Sequence, residues 1–363
     1  MNWKRNWQET QSHFRDWWQH RGLVLHLYYN GHTPIPHEGH ACVEDPGPAP
    51  ADRHTNARWI ARSTRRWMSQ KAFFGDTLPM ASPGLGPGSL AACLGSEIEF
   101  APDTVWFHPS IDDPDSVDRL RYDPEQKWWK IHEVIAREMV AVAGGDYFVG
   151  NYDLVENLDV LASLRGTQNV LFDLVERPDW VKARLADINQ VYREVYQRIY
   201  DIIKLPDGSS GFGAFSIWGD GKAATVQCDI SAMLSPQMFD EFVLPGLREQ
   251  CAWLDHALYH LDGTQALVHL DSLLSIPDLH AIEWTPQLGI EGGGKGANPR
   301  WFDLYRKILN AGKSVWVMGL EAQDVVPLLD AIGPHGVYIE LWNVSTEREF
   351  DDLQNEIARR FDI

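Results

Sequence analysis

Long apolar runs are missing from this sequence. Stretches such as 315–320 and 139–143 fall far short of the roughly 20 apolar residues that a membrane-spanning helix needs. The N-terminal segment MNWKRNWQETQSHFRDWW also lacks the apolar stretch of about 7–15 residues that a secretory signal requires. Cysteine is scarce: the four residues at 42, 93, 228 and 251 form no CxxC pair and no disulfide framework. Reduced thiols and a cytoplasmic enzyme with no membrane association are therefore expected. Basic residues are outnumbered, with 32 Lys and Arg against 51 Asp and Glu and a net charge of −19, so a basic face for nucleic acid is not expected. There is no GxGxxG after a strand, no P-loop and no GxSxG, which argues against a nucleotide cofactor and against a serine hydrolase. Repeats at solenoid periods are absent as well.

What the sequence does contain is alternation. With 44% hydrophobic and 23% charged residues, the 363-residue chain can bury an ordinary globular core. Eight short β-rich runs, at 23–29, 104–108, 146–151, 212–218, 257–261, 281–284, 314–320 and 336–341, are separated by amphipathic stretches. The helix signals are strong: apolar residues at helical spacing after Asp179, Ser235-Pro236 and Asn298-Pro299 as starts, and Ser345-Thr346-Glu347 ahead of the last stretch. Eight strands alternating with helices predict an α/β fold, a (β/α)8 TIM barrel formed as a single domain over 1–363. An N-terminal helical extension is expected over 1–21. Residues 30–100, with proline- and glycine-rich borders at 32–50 and 79–88, read as a long first β–α connection and a lid over the barrel mouth.

The segment Gln227-Cys228-Asp229-Ile230-Ser231-Ala232-Met233-Leu234-Ser235-Pro236, continuing QMFDEFVLP to Pro245, resembles the uroporphyrinogen decarboxylase superfamily, in which an LSPxxFxEFxLP segment follows the fourth strand. Tyr259-His260-Leu261-Asp262-Gly263 stands where the corrinoid-linked methyltransferases of that superfamily carry HxCG. The resemblance covers roughly residues 90–363 and implies a barrel enzyme transferring a one-carbon group, with a corrinoid protein as partner. Two departures bear on the chemistry. The arginine-bearing MRQAGR segment of true decarboxylases is absent, and its nearest substitute is Arg58, Arg62, Arg65 and Arg66 on the first connection. Where the methyltransferases use thiolates, this chain offers Asp262 and, near the last strand, Trp342-Asn343. Carboxylate in place of sulfur shifts the expected ion from thiolate zinc toward mixed N/O zinc or a harder divalent metal.

Barrel active sites assemble at strand C-termini, and those ends are rich in ionisable and aromatic side chains. His260 and Asp262, two apart on a strand, point the same way, and Glu340 on the last strand would complete an N,O,O metal triad. The alternative for the pair is a hydrogen-bonded His–Asp that positions a substrate. Glu283 beside Trp284 is a general acid or base candidate if the indole desolvates it, or a rim carboxylate paired with a basic residue. Asp220 in Trp218-Gly219-Asp220-Gly221 is a further catalytic candidate, though the same residues make ordinary turn chemistry. His26, Tyr28, Trp106, His108, Asn151, Trp218, Trp284 and Trp342 are the expected substrate-binding set, since indoles at the mouth suit a flat ligand or a cation. The glycine-rich 289–299 segment reads as a rim loop, with anion binding at the following helix as the alternative.

The functional expectation is a metal-assisted methyl transferase on a small polar molecule. Porphyrinogen decarboxylation is the second reading. A third is a lyase or hydrolase on a carbohydrate-like ligand, with Glu283, Glu340 or Asp220 as paired carboxylates about 5–5.5 Å or about 6.5–9.5 Å apart.

Overall fold

Twelve strands are present in the computed structural model, which describes residues 1–28, 45–47, 49–101, 104–287 and 295–362. They are β1 (Leu23–Leu27), β2 (Met80–Ala81), β3 (Glu97–Phe100), β4 (Val105–His108), β5 (Phe148–Val149), β6 (Ser210–Phe212), β7 (Ile217–Gly219), β8 (Ala223–Gln227), β9 (His256–Asp262), β10 (Ala281–Thr285), β11 (Ser314–Leu320) and β12 (Val337–Leu341). Six of them hydrogen-bond into one all-parallel sheet in the order β1-β12-β11-β10-β9-β8. Helices intervene between most of its neighbours, as parallel pairing requires.

The register defines the sheet's chemistry. Val24, Tyr338, Trp316, Glu283, His260 and Gln227 are successive partners across all six strands and so share one face. That face is concave, because Phe215 touches both His260 on β9 and Trp316 on β11, with ring centroids 4.7 and 5.8 Å away, although β10 lies between them. The alternate residues point outward. Trp284 packs on Trp301 of the following helical segment at 5.0 Å.

Among the described residues the sheet is open, and strand pairing does not close an eight-stranded barrel. From the free edge of β1 the path runs through Asp76 N to Leu25 O, the short parallel pair β2–β5, and a single bridge between Asn151 and Phe212. Ser210 Oγ then reaches Gly221 O at the foot of β8. Two expected strands are therefore reassigned. Residues 104–108 form β4 of an antiparallel hairpin with β3, whose alternating exposure marks a surface ribbon. Residues 212–218 form most of the β6–β7 hairpin, and the sheet position belongs instead to Ala223–Gln227. Valine and aromatic content marks strands but not which sheet they join, while Ala-Ala-Thr-Val-Gln has too little β-branched character to stand out. Met80–Ala81, inside the expected 79–88 loop, is a strand too short to alternate visibly.

The β6–β7 hairpin fills the breach in the sheet. Its approach needs glycine: a Cβ on Gly150 would lie 2.8 Å from Gly213 N, and one on Gly213 2.5 Å from Ser82 Cβ. The tip then reaches the concave face, where Tyr338 Oη donates to Ser216 O at 2.9 Å.

The expected N-terminal helix is Trp7–Trp18, and it stoppers the end of the sheet where strands begin. Phe14 and Trp17 meet Tyr338 edge-on at 5.8 and 5.4 Å, and Trp18 stacks on His256 at 4.9 Å. Trp17 Nε1 donates to Val315 O at 3.4 Å, and Ser314 Oγ to Trp17 O at 2.5 Å. The start signals hold elsewhere: Ser235 caps Met238 N, Asn298 caps Arg300 N, and Thr346 and Glu349 form a capping box on Glu347–Phe361. The described part of the first connection includes Ala57–Met68, which packs on the helix Lys127–Ala143. Arg65 there binds Val142 O and Asp146 Oδ2, so it does not form a clamp over the mouth. Residues 30–44 and 48 of the expected lid lie outside the described residues.

Replacing Trp17 by Ala is expected to destabilise the protein by about 3–5 kcal/mol, the usual cost of removing a buried indole. Equilibrium denaturant unfolding checks this, and a loss below about 1 kcal/mol contradicts the stopper role.

Candidate active site

Parallel strands bring their C-termini to one end, and three side chains there converge. Asp229, two residues beyond Gln227 on β8, lies beside His260 and Asp262 of β9, with one ligand atom from each within 4.8 Å of the others. His260 is fixed from behind. Its Nδ1 is 2.5 Å from Glu283 Oε2 on β10, and Glu283 Oε1 accepts from Thr285 Oγ1 at 2.8 Å. Glu283 is buried and His260 nearly so. Burial alone would disfavour a charged imidazole. The hydrogen bond and charge of Glu283, joined by the charges of Asp229 and Asp262, outweigh it and lift His260 to about 9.

A second ring of carboxylates stands behind Asp229. Asp159 accepts Asp229 N at 2.7 Å and Ile230 N at 3.0 Å, capping the turn that presents Asp229. Glu156 Oε1 accepts Gln227 N at 2.5 Å. Burial raises Asp153 to about 6 and Asp159 to about 7, and it pushes Glu156 well above the usual carboxylate range. The backbone here is strained: Val155 and Asn157, on either side of Glu156, have φ of 43° and 55°. A β-branched residue in the left-handed region is held there only by its surroundings, and such positions concentrate at functional sites.

Other expected site residues divide into two groups. Glu340 is buried outside the Asp229–His260–Asp262 group. It accepts from Trp342 Nε1 at 2.7 Å and is raised to about 7 chiefly by burial, with the Glu283 charge adding. Trp342 and Tyr28 lie together at the mouth, their rings 5.7 Å apart. His26 is the register partner of Glu340 and is buried, which drives it down to about 3 with help from Lys4. Asn151 is fully buried at the junction with the β6–β7 hairpin.

The remainder sit elsewhere. Asp220 precedes β8, at the opposite end of the sheet, in a two-toothed ion pair with Arg15 of the first helix. Trp218 is buried against Trp7 and Phe14, and it serves the helical stopper. Trp284 faces outward, so the desolvation of Glu283 comes from the concave interior rather than from this indole. Trp106 and His108 belong to the surface ribbon, where His108 pairs with Glu99 at 2.7 Å. Most of the 289–299 segment lies outside the described residues.

Asp229 is not legible in the sequence: only the pairing of β8 with β9, which sets Gln227 beside His260, brings the residue two beyond it level with Asp262. Asp159 and Glu156 give no signal either, because they follow a strand that is only two residues long. A separate cavity of about 460 Å³ lies on the outer side of β1, among Trp3, His13, Leu25, Phe74 and Phe350. None of the converging residues lines it, so chemistry rather than volume locates the site.

No protein-family model matches the chain, and no curated protein matches it in sequence. Among solved structures it is similar to a methyltransferase from Methanosarcina mazei, with a TM-score of 0.56 and 11% identity over 84% of this chain and 87% of that one. At that identity the likeness shows a shared fold, methyltransferase-like in architecture, and no more. Among the described residues no helix is long and apolar enough to cross a membrane.

The raised pKa of His260 makes a signed prediction for the metal-free protein. The stabilisation from its charged form is complete below about pH 6.5 and is lost as pH rises through about 9. Denaturant unfolding of wild type and His260→Gln should therefore show a wild-type advantage at pH 6 that shrinks by pH 10. An advantage that grows with pH contradicts the assignment.

Proposed function

We propose that this chain is a metal-dependent methyltransferase acting on a small-molecule substrate at the C-terminal end of its parallel sheet. We place it beside the corrinoid-linked branch of the uroporphyrinogen decarboxylase superfamily, as a barrel with a corrinoid protein for partner. The observation that carries this reading is the Asp229–His260–Asp262 group with His260 held by Glu283.

The donor set fits a divalent cation. One imidazole and two carboxylates suit zinc in a mixed N/O site or a harder ion. A carboxylate on the far nitrogen of a ligating histidine is the usual supporting partner, fixing the tautomer and raising ligand basicity. Glu283 does this here by holding the proton at Nδ1 and leaving Nε2 for the ion. A divalent ion bound there would supply Lewis acidity that stabilises the deprotonated form of a nucleophile.

The protein's own groups do the rest. Asp159 holds the backbone of Asp229 and Ile230, which sets the direction of the Asp229 carboxylate. Phe215 covers one side of His260 and keeps water from it. When the acceptor's nucleophilic atom takes the methyl group and the bond to the donor breaks, its proton needs a base. Asp153, raised to about 6 and close enough to His260 to feel its charge, is matched to that task near neutral pH.

Specific observations weigh against the rivals. A polyacidic porphyrinogen needs arginines in the site, whereas this one is ringed by carboxylates and Arg65 is bound to Asp146. The paired-carboxylate reading loses Asp220, which stands at the other end of the sheet.

Elemental analysis after dialysis against zinc or manganese should find stoichiometric metal in the wild type and little in His260→Gln or Asp229→Asn. Glu283→Gln should weaken metal affinity roughly 10–100-fold, as loss of such a supporting carboxylate does, while Glu340→Gln retains it. Equal metal content in all five proteins contradicts the site. Because the ion must displace a proton from His260, affinity should rise with pH between 6 and 9.

A further inference from the structure

At the mouth of the sheet, Tyr28 and Trp342 follow β1 and β12, side by side, with Tyr28 N donating to Leu341 O at 2.8 Å. Their rings are inclined at 32°, and the two residues are 42% and 44% exposed, so large aromatic side chains reach solvent beside an otherwise buried aromatic interior. The indole is not loose. Trp342 Nε1 is tied to Glu340 Oε1, and its six-membered ring lies over Gly319, where an added Cβ would come 3.5 Å from Cζ2.

Beneath the rings lies a buried carboxyl group that a cation would stabilise in its charged form. Glu340 is 6% exposed and has no lysine or arginine partner among the described residues. His26, its register partner on β1, is equally buried, and its Nδ1 has no hydrogen-bond partner among the described residues. An unpaired polar atom in such a place points to a ligand or water that completes it. The described lysine after β10, Lys295, is taken by Glu321. The chain between Tyr28 and Asp45 contains no lysine or arginine at all.

A neutral flat ligand would use the rings and leave Glu340 uncompensated. An inorganic cation would find one carboxylate and two indifferent ring faces. An organic cation uses both, since its charge meets the ring quadrupoles and the carboxylate while its alkyl groups cover apolar surface. We propose that Tyr28, Trp342 and Glu340 form the recognition site for an organic cation, a protonated amine or quaternary ammonium group carried by the substrate. That this ligand is the substrate rests on the methyltransferase reading above; that the site binds a cation does not. The chain's net charge of −19 would draw such a ligand in.

The test is isothermal titration calorimetry of the full chain with choline and with 3,3-dimethylbutan-1-ol, its uncharged isostere. Choline should bind saturably and the alcohol roughly tenfold more weakly or worse. Trp342→Ala and Tyr28→Leu should each weaken choline several-fold. Glu340→Gln, which keeps an acceptor for Trp342, should weaken choline by roughly tenfold and leave the alcohol unchanged. Equal binding of the two ligands, no saturable choline binding, or unchanged choline affinity in both Trp342→Ala and Glu340→Gln overturns the proposal. Metal content measured on the same samples separates the two readings. Variants that lose choline but keep metal support the cation site, whereas a wild type that binds choline without metal upholds this site and contradicts the metal reading.

Discussion

The hydrogen bond from His260 to Glu283 ties the chemistry of this protein to its sheet. Two adjacent parallel strands in register place an imidazole and a carboxylate side by side on the concave face, and burial makes each costly unless the other is present. With Nδ1 committed to Glu283, Nε2 is the nitrogen left for a ligand shared with Asp229 and Asp262 in the reading proposed above. Everything assigned to the site depends on this orientation, and the orientation depends on the β9–β10 register, because a slip of one residue would turn His260 to the helix-packed side.

Around that pair the two ends of the sheet are built for different tasks. The end where strands begin is closed by indoles and rings from the first helix and is held by backbone acceptors such as Val315 O. The end where strands finish concentrates carboxylates whose proton affinity burial has raised, on a backbone segment strained at Val155 and Asn157. Packing energy from the closed end supports the cost of holding like charges together at the open one. That division is the usual one in parallel α/β folds, where loops after the strands carry function.

Much of this was legible in the sequence, with a pattern to its failures. All eight expected strand positions contain strand residues, although only five of them join the six-stranded sheet, and the helix starts at Ser235, Asn298 and Thr346 hold because capping is local chemistry. His260 and Asp262 lie on one side of β9, as their spacing of two implies, because period two on a strand is local as well. Partner choice is not local. Thr104–His108 has strand composition but pairs into a surface ribbon, which removes Trp106 and His108 from the site. Trp218 and Trp284 are aromatic residues at strand ends, yet the decision between site and core was made by the first helix and by Trp301. Asp229 replaced Glu340 in the expected triad because β8, rather than β12, is the neighbour of β9, a fact about strand order that composition does not carry.

The central claim, that register brings Asp229, His260 and Asp262 together around one ion, is tested most directly by anomalous diffraction. Crystals grown with zinc or manganese and measured above and below the metal absorption edge should show a difference peak within bonding distance of His260 Nε2 and of oxygens from both aspartates, at about 2.0–2.2 Å for zinc. A peak on His26 and Glu340 instead, or no peak near His260 at saturating metal, would contradict it.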